Sequence, residues 1–366
     1  MQERALAERL ITYDTSTLDG ITAAAGFVKG WLESNEIEVK DGTKNDLPVL
    51  AATVGVASGP TIVLHGHLDV VPGRPEQFQP RIDGDRLIGR GAYDMKGGLA
   101  AMMCAARELA AQSEVRVHFV CVSDEESDEP FDRGSDYLVA KGYTGDFAIT
   151  GEPTDLRIGV QAKGVLALRI EVTGTAAHGS TPWMGDNAVL KAVDVFRSIQ
   201  AMPFAREASE LFDRPSISLG RIIGGDRINK VPDFCAIDVD IRYLPGQDSD
   251  EILEAIRAIP DTAVTVVFSR GAVIVDRDDP HVHALAAVIS DWTPADRISV
   301  GRDGASDVNS FIEAGVPAVE FGPVGGGHHG PDEWVSIPSL ERYRCALVEF
   351  VRSVPQTVGK GHLRIA

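Results

Sequence analysis

The sequence predicts an α/β protein with a mostly parallel central sheet, interrupted by an inserted α+β unit of the ferredoxin-like kind. Three observations carry that expectation. Short apolar runs alternate with helix-like segments over residues 1–163. From about residue 164 the strands alternate in polarity, as half-exposed antiparallel strands do. After residue 272 the first style returns. The 366 residues therefore divide into one domain from 1–163 and 272–366 and a second from 164–271, in line with roughly 150 residues per domain.

Residues 20–34 have the apolar spacing of an amphipathic helix. Residues 60–65 (PTIVLH) form an apolar run bounded by glycine, as a buried strand would. Residues 96–111 suit a helix, and 115–122 and 147–150 suit two further strands. Alternating strands follow at 165–173, 216–223, 235–243 and 263–268, with helices at 187–200 and 249–258 between them. This is a strand-helix-strand-strand-helix-strand order. The last part holds a helix near 280–290, a glycine-rich loop at 301–306, a strand at 317–321 and a closing helix at 337–353.

Composition narrows the function classes. With 35 basic and 54 acidic residues the net charge is −19, which repels phosphate backbones and anionic membranes. Neither nucleic acid nor a membrane is an expected partner. No apolar run reaches the eighteen or more residues of a transmembrane helix. The start, Met1-Gln2-Glu3-Arg4, lacks the features of a signal peptide, so a cytoplasmic location is expected. The four cysteines are widely spaced, without a C-x-x-C pattern, and suit buried thiols of a reducing compartment.

Five segments carry residues suited to metal chemistry. His67 and Asp69 in HGHLDVVPG follow the 60–65 strand, and in an extended segment i and i+2 point the same way. A histidine that binds metal usually passes its other ring N–H to a carboxylate or carbonyl, a part open to Asp69. Asp94 in GRGAYDMKGG is either a ligand or the cap of the following helix. The run Ser123-Asp124-Glu125-Glu126-Ser127-Asp128-Glu129 is either a solvated loop or a pair of working carboxylates at a strand end. Glu152 precedes a proline after the 147–150 strand, and His328 and His329 follow three glycines. Four strand ends and one helix start thus deliver His, Asp or Glu to one edge of one sheet. Two histidines and three carboxylates suit two zinc ions, with cobalt or manganese as substitutes.

The ordered motifs GHLDVVP, GRGAYDMKGG, DEE, GEPT and H-x-x-D-E resemble those of the acetylornithine deacetylase / succinyl-diaminopimelate desuccinylase family of di-zinc peptidases and amidohydrolases. Aminoacylases, dipeptidases and glutamate carboxypeptidases are among its members, and the resemblance covers nearly the whole chain. It implies a zinc-peptidase-like α/β/α catalytic domain with an inserted lid and dimerisation domain. His67, Asp94 and Glu152 would hold one zinc, and Asp94, Glu126 and His329 the other, with Asp94 bridging. Glu125 would be the general base and Asp69 would orient His67. The motif selects His329 over His328 and gives His65 a structural place. His178, in GTAAHGSTP, would be the oxyanion donor, from the partner subunit in dimeric members. Asn229 and Arg242 would contact substrate, Arg242 holding a carboxylate or else a salt bridge inside the lid. Gly304 lies in GRDGASD, which resembles the family's substrate loop, although Arg302 and Asp303 stand where small residues are frequent. Asp307 would cap or support the next helix.

The expected activity is hydrolysis of the amide bond of an N-acyl amino acid, in deacetylase, desuccinylase or aminoacylase style, by a homodimer joined through the lid. The alternatives are a metallo-dipeptidase or carboxypeptidase on short peptides and, more remotely, a di-metal phosphoesterase or a non-catalytic binding homologue.

Overall fold

A computed structural model describes residues 2–110, 114–127, 133–294 and 298–357. Asp128 and Glu129 of the acidic run lie outside the described residues. The chain divides into two compact units, the first comprising 1–160, 275–300 and 306–366 and the second 161–274 and 301–305. Among the described residues no helix is long and apolar enough to cross a membrane.

The sheet of the first unit has four parallel strands at its centre: Arg116–Val122, Thr61–His67, Phe147–Thr150 and Ala318–Glu320, in that spatial order. Antiparallel strands flank them, with the hairpin Val39–Lys44 and Leu47–Gly55 on one side and Ile158–Ala162 on the other. From Thr61–His67 the chain first adds Arg116–Val122 on one side and then Phe147–Thr150 on the other. The strand order therefore reverses at Thr61–His67, and open α/β sheets bind ligands beyond the carboxyl ends of strands at such a point.

Side-chain alternation along Thr61–His67 shows that helices cover both faces. A Cβ placed on Gly66 would meet Met95 at 2.8 Å and Leu99 at 3.2 Å, so that face abuts the helix Gly97–Leu109. His65 points the other way, to Ser135 of the helix Gly134–Ala140 and Phe311 of Val308–Glu313. The result is an α/β/α stack. The strand's Ile62, Val63 and Leu64 are fully buried, each worth about 1.5–3 kcal/mol relative to exposure.

The hairpin is absent from the sequence reading. Asn45 and Asp46 both adopt left-handed conformations, φ 52° and 62°, which suits a tight two-residue hairpin turn. Its outer strand VKDGTK is mostly exposed and polar and carries little periodic signal.

The second unit has a four-stranded antiparallel sheet in the order Ser216–Gly224, Phe234–Tyr243, Gly164–Thr173, Thr262–Arg270. Its helices Ala188–Ala201 and Ser249–Arg257 start at Asn187 and Asp248, whose side chains accept the first free N–H groups. Leu166, Leu168, Ile170 and Val172 pack with Ala192, Val195, Ile199 and Ile256 in one apolar core. This is the ferredoxin-like order expected from the strand and helix sequence.

Candidate metal centre

Parallel strands put their carboxyl ends on one edge, and the chemistry collects there. His67 ends its strand fully buried. Its Nε2 lies 3.1 Å from Asp94 Oδ1 and 3.6 Å from Glu152 Oε1. Its Nδ1 lies 3.0 Å from the Asp69 carbonyl and 3.5 Å from Asp69 Oδ1. The other oxygen of Asp69 accepts the Glu126 N–H at 2.7 Å. Asp69 thus meets His67 most closely through its main chain and ties the His67 strand end to the acidic turn.

Asp94 stands between two groups of donors. Oδ1 faces His67, while Oδ2 lies 2.5 Å from His328 Nε2 and 3.4 Å from His329 Nε2. His329 Nε2 is also 2.9 Å from Glu126 Oε1. Two sets of three ligand atoms therefore share Asp94: His67, Asp94 and Glu152, and Asp94, His328 and His329. His328, set aside on sequence grounds, reaches Asp94 more closely than His329 does. Two adjacent histidines cannot be ranked by spacing, because a loop decides which ring turns inward.

Glu333 holds Asp94 in place. Its Oε1 accepts the N–H groups of Tyr93 and Asp94, each at 3.0 Å, and its Oε2 accepts that of Gly91 at 3.0 Å. Arg90 Nη1 completes a buried pair with Glu333 at 2.7 Å, and Arg90 Nη2 donates to the His329 carbonyl at 3.1 Å. The Asp94 loop and the histidine loop are thereby locked together. Gly91 has φ 79° and no room for a Cβ, which would meet Val70 at 2.8 Å, so glycine is needed there. Asp94 does not cap the helix Gly97–Leu109, whose N-cap position is Lys96, without a side-chain bond. Asp307 stands at the N-cap position of the helix Val308–Glu313 without a side-chain bond to it. It accepts from Ser135 Oγ at 2.6 Å and lies 3.3 Å from His65 Nε2.

The electrostatics are those of a cluster short of cations. Burial raises the pKa of Glu125 well above the carboxylate range, with Asp307, Asp94 and Glu126 adding to the rise and His67 opposing it. Burial, and then Asp94, do the same to Glu152. Burial disfavours charge on Asp94, but hydrogen bonds from His328, His329 and His67 overcome it and hold Asp94 well below the usual range. Burial likewise opposes charge on His67, yet Asp69 and Asp94 raise its pKa well above that of an ordinary histidine. Hydrogen bonding to Asp94 and Glu126 pushes His329 up to about 10. Among the described residues, Glu152 Oε1 and Asp69 Oδ1 are buried without a hydrogen-bond partner. Orphaned oxygens, crowded carboxylates and imidazole nitrogens form a donor set that fits divalent metal.

Of the residues singled out from sequence, His67, Asp69, Asp94, Glu125, Glu126, Glu152 and His329 gather in the first unit. His178, Asn229, Arg242 and Gly304 belong to the second. There His178 forms a bridge with Lys230, and the Asn229 carbonyl accepts the Gly179 N–H at 2.7 Å. Arg242 donates to both oxygens of Asp240, at 2.8 and 3.1 Å. Gly304 is exposed. Glu333 and His328 are the additions the structure makes.

The sequence profile of peptidase family M20/M25/M40 matches residues 63–353. A succinyl-diaminopimelate desuccinylase from Gluconacetobacter diazotrophicus is 32% identical over 317 residues, covering 80% of each chain. An M20 family metallo-carboxypeptidase from Sulfolobus solfataricus superposes with TM-score 0.80 at 18% identity, over 97% of this chain and 100% of the other. A dinuclear metal-binding M20 peptidase from Bacillus subtilis superposes with TM-score 0.69 at 17% identity, over 97% and 99%.

Proposed function

Because the chain belongs to peptidase family M20/M25/M40 and is a hydrolase of amide C–N bonds, we propose that it cleaves the amide bond of an N-acyl amino acid at a two-zinc centre. The observation that carries this reading is the Asp94 carboxylate, shared by two sets of ligand atoms. Its curated relative's name, succinyl-diaminopimelate desuccinylase, supports a small N-acyl substrate bearing carboxylates. His67 and Glu152 would hold one ion with Asp94, and Glu126 and His329 the other, with His328 beside them. Cobalt or manganese would substitute, since nitrogen and oxygen donors do not select strictly for zinc.

Two divalent ions supply Lewis acidity that polarises an amide carbonyl and acidifies water. The chain's own residues do the rest. The Glu125 carboxylate accepts a proton from the attacking water and delivers it to the leaving nitrogen. Asp69 and Glu333 fix ligands without touching substrate. From the second unit, His178 would donate to the developing oxyanion, in cis or from a partner subunit. Arg242 would exchange Asp240 for a substrate carboxylate, and Asn229 and Gly304 would line the substrate. A homodimer through the second unit and a cytoplasmic location complete the reading. Four cysteines without disulfides support the latter.

The test is a substrate panel on zinc- and cobalt-loaded protein: N-succinyl and N-acetyl amino acids, dipeptides and phosphoesters. Turnover of N-acyl amino acids above the others is expected. Turnover of phosphoesters alone overturns the reading.

A further inference from the structure

The segment that carries Glu125 and Glu126 leaves the strand Arg116–Val122 as a turn. Its described backbone bond is long, from Ser127 N–H to the Asp124 carbonyl at 3.4 Å. The shape of the turn is imposed from the side. Arg133 Nη1 donates to the carbonyls of Asp124 and Glu125, the latter at 3.1 Å, and Nη2 donates to that of Ser127 at 3.1 Å. The planar guanidinium has five donors in a fixed fork, so it can gather several carbonyls at once, where a lysine ammonium is a single point.

Arg133 is itself anchored. Its N–H donates to Asp136 Oδ2 at 3.0 Å, and that of Gly134 donates to Asp124 Oδ2 at 2.7 Å. Ser135 Oγ reaches both Asp307 and His65 Nε2, the latter at 2.8 Å. His65 lies two residues before His67 in the same strand. The start of the helix Gly134–Ala140 is thus fastened to the strand that ends in a proposed metal ligand. This fixes where the guanidinium sits.

We propose that Arg133 is a positioning residue for Glu125, holding the turn 124–127 so that the Glu125 carboxylate meets the attacking water and the leaving nitrogen. The inference rests on the reading of Glu125 as general base. The described contacts of the Arg133 guanidinium with the turn are to main-chain oxygens, so replacing Arg133 removes no proposed metal ligand. A reacting group displaced by about 1 Å costs on the order of 100-fold in rate.

Arg133→Ala and Arg133→Lys, loaded with zinc, test this with N-succinyl-L,L-diaminopimelate and N-acetyl-L-ornithine as probes. The alanine variant is expected to lose roughly 10- to 100-fold in kcat, with KM, zinc content and thermal midpoint near wild type. Amides of 124–127 are expected to exchange faster with deuterium while the rest of the chain is unchanged. The lysine variant should restore part of both signals. Wild-type kcat and exchange in the alanine variant overturn the inference, as does a kcat loss that only tracks zinc loss or global unfolding. A wild-type protein inactive on every amide defeats the functional reading instead, and exchange in the turn still decides whether Arg133 holds it.

Discussion

Nε2 of His67 lies 3.1 Å from Oδ1 of Asp94, and the second oxygen of the same carboxylate faces His328 and His329. One side chain therefore serves two sets of donors, although Asp94 and His328 lie 234 residues apart in sequence. Asp94 and its neighbours raise the pKa of His67 and His329, while Glu125 and Glu152 hold their protons more tightly than ordinary carboxylates.

Glu333 is buried among four donors, and Arg90 would be left as an uncompensated buried charge without it. Glu333→Gln brings an amide NH2 up to backbone N–H groups. Breaking a buried pair costs about 3–5 kcal/mol, and losing a residue that orients a ligand costs about 10- to 100-fold in metal affinity. Denaturant unfolding and chelator competition are expected to show both losses. Wild-type values in both would show that the Asp94 loop holds itself.

Glu125→Gln preserves shape and removes the proposed base. Turnover is expected to fall by about 100-fold or more with two ions still bound, as measured by steady-state kinetics and elemental analysis on the same sample. Near-normal kcat would remove Glu125 from the mechanism.

The two adjacent histidines separate by stoichiometry. His329 meets both Asp94 and Glu126, so His329→Ala is expected to bind one ion. His328→Ala is expected to keep two, held more weakly. The opposite pattern would make His328 the ligand.

Asp307 gives a pH signature away from the metal ligands. Burial raises its pKa, but His65, and then Ser135, overcome this and bring it to about 2, from an ordinary 3.8. A depressed carboxylate stabilises the fold above its unfolded pKa, and that contribution disappears as pH falls toward the folded value. The difference is roughly 2 kcal/mol. Wild type should therefore lose more stability than Asp307→Asn between about pH 4 and pH 2, read from urea midpoints. Parallel pH profiles would show that Asp307 is not held ionised in this way.

The strand ends were legible in the sequence because buried parallel strands are short apolar runs, and the residues at or just past their ends, His67, Glu126 and Glu152, gather at one edge. The ferredoxin-like order was legible from alternation in 165–173 and 235–243. The hairpin was not, since Asn45-Asp46 carries no glycine to mark its turn. Glu333 was not legible because it acts on main-chain N–H groups 239 to 242 residues away, and Arg133 was not because its partners are main-chain carbonyls, which every residue carries. That His328 also reaches Asp94 was not legible, because motif spacing says nothing about which ring a loop turns inward.

If the Asp94 carboxylate joins two metal ions as proposed, the number of ions bound must depend on it. Elemental analysis of wild type and Asp94→Asn, each dialysed against the same buffered zinc, is expected to give two ions per chain for wild type. The variant should fall to one or none, with hydrolysis lost. Two ions retained in Asp94→Asn, or no more than one in wild type, would rule out this role for Asp94.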